Sequence, residues 1–100
     1  MKNYLFIFLL LCCTFLHAKQ IEVCKSCTIS TIKQAVEIAE DGDEIFIKKG
    51  VYKENDIEIN KSLTISGEEG TVIDGTNKGS ILHITANNFV LRNLKIINVV

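Results

Sequence analysis

The chain has no proline and no tryptophan, and its one methionine is the first residue. Without proline every backbone N–H can donate, which suits continuous hydrogen-bonded strands. Without methionine beyond Met1 there is no Met-rich copper motif, since such motifs are built from soft thioether ligands. Charge of one sign is missing as well: 11 Lys and Arg face 12 Asp and Glu, for a net charge of −1. The signs are interspersed, which excludes a basic stripe for nucleic acid and a polybasic membrane patch. Long hydrophobic runs are scarce, with one exception. Tyr4 to Leu16 is apolar apart from Thr14, yet shorter than the about 20 apolar residues that cross a membrane comfortably.

Lys2 stands before that run, and "LHA", Leu16-His17-Ala18, follows it. A charged start, an apolar centre and a small residue at the cut describe a secretory signal peptide over residues 1–18. Cys12 and Cys13 lie inside the run, but bulky Leu11 precedes them and the run continues, which disfavours a lipoprotein site. Export to the periplasm would let thiols oxidise and stay oxidised. Residues 19–100 then hold ten basic and twelve acidic side chains, one small domain at most.

The exported part opens with "IEVCKSCTIS", a short strand followed by Cys24 and Cys27 in C-x-x-C spacing. "STIKQAVEIAEDGD" then reads as a helix over residues 31–39. Ile32, Ala35, Val36 and Ala39 follow the i, i+3, i+4, i+7 pattern of one apolar face. Ser30 is the expected N-cap, and Gly42 is placed to end the helix with a positive φ. Residues 19–43 thus form a strand and a helix.

From Glu44 the period changes to two. Ile45 and Ile47, Ile57 and Ile59, Leu63 and Ile65, Leu82 and Ile84, Phe89 and Leu91, and Leu94 and Ile96 alternate with polar neighbours, and "TVIDG" adds Val72 and Ile73. Gly, Asn, Asp, Lys and Ser fill the gaps as turn signals. Ile57 and Ile59 recur about 25 residues later as Leu82 and Ile84, and Leu63 and Ile65 about 26 later as Phe89 and Leu91. Ile45 and Ile47 are followed by Val72 and Ile73 at a similar offset. Such a period predicts a mainly β fold over residues 44–100, a parallel β-helix whose rungs are three short strands each. Asn at the corners tolerates left-handed backbone, and the helix would cap the open end. With about two rungs before "KIINVV", the chain is expected to be the N-terminal piece of a longer solenoid.

The segment from Ile32 to Glu54, with "INKSLTISGE", "TVIDG" and "ITANNFVLRNLKI" after it, resembles the start of the NosD family of periplasmic proteins. The same blocks are shared by many β-helix proteins of the pectin-lyase-like, carbohydrate-binding and sugar-hydrolase superfamily. The resemblance implies a right-handed parallel β-helix. It implies an accessory role, not catalysis, in assembling the copper centres of nitrous oxide reductase. The partners implied are the ATPase and permease subunits of an ABC transporter and the reductase or its copper chaperone. The alternative is a secreted polysaccharide lyase or hydrolase, or a carbohydrate-binding protein, on the same fold.

Cys24 and Cys27 are the candidate metal residues, able to hold copper(I) through two thiolates. They can also be a redox dithiol, or a disulfide pinning the first strand to the helix, and export makes the disulfide the default. A thioredoxin-like site needs a βαβ context, and a closed zinc site needs four ligands; neither is present nearby. His83, between Leu82 and Ile84, should point outward, where it could add a copper ligand. Glu54, Asp56 and Glu58 alternate on what reads as one outward strand face, and Asp74 could join them from the next rung to hold calcium or serve acid–base chemistry. A solvated face is the plainer reading of all of these. Asp41-Gly42-Asp43 resembles half a calcium loop but fits a helix-to-strand turn. Gly50 and Tyr52 read as the first corner, with Tyr52 packed over the helix.

Overall fold

The computed structural model describes residues 18–99, so residues 1–17 of the expected signal peptide lie outside the described part. The described elements are β1 (Gln20–Val23), α1 (Ile32–Ile38), β2 (Glu44–Ile47), β3 (Val51–Lys53), β4 (Ile57–Ile59), β5 (Thr64–Gly67), β6 (Val72–Asp74), β7 (Leu82–Ile84), β8 (Val90–Arg92) and β9 (Lys95–Ile97). The strands stack into three sheets ordered β1-β2-β5-β8, β3-β6-β9 and β4-β7. Every pairing is parallel. This is a β-solenoid of roughly three turns with one short helix at its start, the mainly β, parallel β-helix architecture that the period predicts.

Alternation along each strand sends every second side chain inward. In-register stacking then builds ladders. Ile21, Ile45, Ile65 and Leu91 form one rail. Tyr52, Ile73 and Ile96 form a second, and Ile57 with Leu82 and Ile59 with Ile84 form the third. The first turns are sealed, with Ile45, Ile47, Ile57 and Ile59 at 0% exposure. Leu82, Leu91, Leu94 and Ile96 pack on that core only in part.

Two recurrences hold as expected: Ile57 pairs with Leu82 and Ile65 with Leu91. The third does not. Ile45 lies beside Ile65, and Ile73 stacks on Tyr52. The turns are unequal: the first advances 20 residues from Glu44 to Thr64, the second 26 from Thr64 to Val90. The longer "GTNKGSI" connection between β6 and β7 supplies most of the difference. Thr76 and Asn77 there adopt φ of 55° and 60°. Asn93 and Asn98 take the same left-handed backbone at later corners, as expected for Asn.

Val51–Lys53 is a strand, not a corner. Tyr52 points inward at 1% exposure, and its hydroxyl donates to the Lys48 carbonyl at 2.7 Å. The helix also differs from expectation at both ends. Its N-cap is Thr31, whose hydroxyl accepts from the Gln34 N–H at 3.1 Å while the Gln34 side chain accepts from the Thr31 N–H at 3.2 Å. That reciprocal capping box needs Gln three residues after the cap. With Ser30 as cap the third residue would be Lys33, which cannot accept. At the other end α1 stops at Ile38, and Ala39 is extended. Gly42, at φ +91°, serves the following turn, and its N–H donates to the Ser62 carbonyl at 2.7 Å. Ile32, Ala35, Val36 and Ala39 are buried as the periodicity requires, and the helix packs on β1, β2 and β4 at the start of the stack.

Candidate functional site

The seven-residue helix carries its own charges the wrong way round for its dipole: Lys33 lies in its first turn and Glu37 in its last. Two distant side chains correct this. The Glu54 carboxylate accepts from the Ile32 N–H at 2.7 Å and the Lys33 N–H at 3.1 Å. The Lys61 ammonium donates to the carbonyls of Val36, Glu37 and Ala39 at 2.9, 3.1 and 2.7 Å. A negative group thus sits at the N-terminus and a positive group at the C-terminus, where the macrodipole favours each. Both come from the flanks of β4, so the helix is clamped across the first turn.

Between α1 and the β4–β7 sheet lies an open cleft of about 540 Å³ lined by Lys33, Glu37, Asp56, Glu58, Lys61 and His83 among others. Three sequence candidates meet here. Glu58 and His83 are register partners on adjacent strands and both are exposed. Asp56 holds the corner before β4 with φ 55°. The expected single acidic face does not form: of Glu54, Asp56 and Glu58, only Glu58 lies on a strand, and Glu54 turns away to cap the helix. Asp74 is also apart. Its carboxylate accepts from the Thr76 N–H and the Asn98 side-chain amide, both at 2.8 Å. The Asn98 bond, then the Thr76 bond, hold its pKa below the usual value against some desolvation, with help from the Lys53 charge.

Asp41-Gly42-Asp43 is a turn tied to its surroundings by backbone donors. Asp41 accepts from the Ser62 N–H at 2.9 Å. Asp43 is buried and accepts from the Glu40 N–H at 2.9 Å and the Lys19 N–H at 3.0 Å. Burial opposes its ionisation, but those two bonds and the charges of Lys19 and Lys61 outweigh it, so its pKa lies below the ordinary carboxylate value. Glu68 follows the same habit, accepting from the Lys49 N–H at 2.8 Å. These carboxylates stitch one turn of the chain to the next. The charge pattern alone could not show this, because the partners that join one turn to the next are backbone N–H groups about twenty residues away.

Cys24 and Cys27 are joined by a disulfide, with their Cα atoms 5.1 Å apart. The bond closes the tight loop after β1, in which the Cys27 N–H donates to the Cys24 carbonyl at 3.1 Å. The loop holds the Lys25 ammonium 4.7 Å from the centre of the Tyr52 ring. Tyr52 is thus covered from the cysteine loop. Burial, then the charges of Glu54 and Glu68, push its phenol pKa up, which keeps it a neutral donor. In a disulfide neither sulfur is a thiolate, the form copper(I) needs. Among the described residues no three His, Cys, Asp or Glu converge as a metal-ligand set. The oxidised pair therefore does not fit a resident copper centre. Among the described residues no helix is long and apolar enough to cross a membrane. No family model, curated protein or solved structure matches the chain.

Proposed function

We propose that the chain is an exported, non-catalytic solenoid that assists copper-centre assembly in a partner enzyme, in the manner of the NosD family it resembles. In this reading it works beside an ABC transporter in the periplasm and presents surfaces to nitrous oxide reductase or its copper chaperone. The observation that carries the non-catalytic part is the employment of its carboxylates: Glu54, Asp43, Asp41, Glu68 and Asp74 accept structural hydrogen bonds. A fold that ties its acids to backbone donors suits a rigid scaffold better than an acid–base catalyst. The copper-related part rests on the sequence resemblance, and any copper contact through Cys24 and Cys27 requires their prior reduction. The test is the copper content of nitrous oxide reductase purified from cells with and without the full chain. Copper-poor enzyme in its absence is expected, and fully loaded enzyme would overturn the proposal.

A second reading is favoured by the cleft, where Asp56, Glu58 and His83 face a polar opening beside Lys33. It is a carbohydrate-binding or polysaccharide-cleaving solenoid. Binding of acidic or neutral glycans to the full chain, weakened by His83→Ala and Glu58→Gln, would replace the accessory role.

A further inference from the structure

β1 does not depend on the disulfide for its place. It pairs with β2 over four register positions, and Ile21 and Val23 are buried beneath it. The disulfide spans a sequence separation of 3, so the chain entropy it removes from the unfolded state is small compared with that of a long loop. What it does hold is the loop itself. The Cys24 N–H donates to the Ile29 carbonyl at 3.3 Å, and the Cys27 N–H donates to the Cys24 carbonyl. This loop puts Lys25 over Tyr52 at a particular place in the stack. The sheet of β2 has β1 before it, whereas the sheet of β3 begins with β3. The loop lies over a rail that no earlier strand covers.

Both cysteines are half-buried, and Lys25 and Ser26 between them are exposed, so the disulfide loop lies open to an attacking thiolate. The Cys24 sulfur lies 3.6 Å from the Ser26 hydroxyl, a donor that favours a thiolate at Cys24. We infer that the Cys24–Cys27 disulfide is a thiol–disulfide exchange site that latches residues 24–29 over Tyr52 until a dithiol reductant opens it. The donor thiolate attacks Cys27 Sγ, forming a mixed disulfide. The Cys24–Cys27 bond breaks, its electron pair leaves on Cys24 Sγ, and solvent later supplies the proton. The donor's second thiol attacks its own sulfur in the mixed disulfide and frees Cys27. Two electrons pass: the protein is left as a dithiol and the donor as a disulfide. The exchange site stands independently of the accessory role.

The experiment equilibrates the full exported chain in dithiothreitol redox buffers, traps thiols by alkylation and maps them by peptide mass. Amide hydrogen exchange is followed in both states. Cys24 and Cys27 should alkylate together while the far-ultraviolet dichroism stays unchanged. The Cys24 and Cys27 amides should exchange about tenfold faster once reduced. Ser26→Ala should slow the dithiol reaction about threefold with the dichroism unchanged. Cys24→Ser should show the fast amide rates with no reductant present. A disulfide that opens only with loss of the β signal overturns the site. Equal amide rates in the two states, or slow rates in Cys24→Ser, overturn the latch.

Discussion

At the scale of single residues, the recurring device is a charged side chain satisfying backbone groups that would otherwise be orphaned. Glu54 and Lys61 do this for the helix ends. Glu54→Gln should cost about 0.5–2 kcal/mol in urea unfolding, the range for lost caps and dipole partners. Lys61→Met should cost about 1–2 kcal/mol, because three carbonyls lose a charged donor. Asp43 predicts a pH effect of definite sign. Its folded pKa lies below the ordinary carboxylate value, so the unfolded chain binds the proton more tightly. Its contribution is full above the unfolded pKa and is lost as pH falls through the folded value. Asp43→Asn should therefore flatten the acid side of the stability curve below about pH 5 and leave its neutral shape unchanged. Asp74 acts in the same direction through Thr76 and Asn98. The turn at Asp43 was legible in the sequence, but these hydrogen bonds were not, and Glu54 read as one of an outward acidic face. Both donors to Glu54 and the Lys19 donor to Asp43 come from chain segments brought near only by stacking. The disulfide between Cys24 and Cys27 was the default reading of the pair, but the loop's cover of Tyr52 was not legible.

At the scale of elements, alternation revealed the strands wherever the inward residues were Ile or Leu. The exception is β3, whose one inward residue, Tyr52, sits among lysines and after a glycine and so reads as a corner. The helix face was legible from its period, and its N-cap could have been found: Thr31 with Gln34 is the capping-box spacing. The stacking of β2 was misread because a single offset was assumed, whereas the longer connection between β6 and β7 made the turns unequal. Turn length follows from corner chemistry, which alternation does not report. Gly67 shows how closely the turns pack. It stacks on inward-facing Ile47, and a Cβ there would lie against the Leu94 side chain and 2.8 Å from the Asn93 carbonyl oxygen. Backbone oxygen cannot swing away. Gly67→Ala should destabilise the fold by about 1–3 kcal/mol, with hydrogen exchange rising first around β8 and β9.

At the scale of the whole molecule, stability runs along the stack. In a solenoid each turn contacts only its neighbours. Here the helix and β1 cover the first turn, and burial fades toward β7, β8 and β9. Ile45 joins Ile21 to Ile65 in the longest rail. Ile45→Ala should cost about 2–5 kcal/mol, against much less for Val90→Ala, which is 45% exposed at the far end. Urea unfolding of the two variants side by side checks this gradient. The central claim is the parallel stacking with unequal turns, since the helix clamp, the carboxylate stitches and the cysteine latch all depend on it. Nuclear Overhauser contacts between backbone protons test it most directly. The stack predicts contacts linking Ile45 to Ile65 and Tyr52 to Ile73 in a parallel pattern. Contacts linking Ile45 to Ile73, or close antiparallel Hα–Hα pairs, would contradict it.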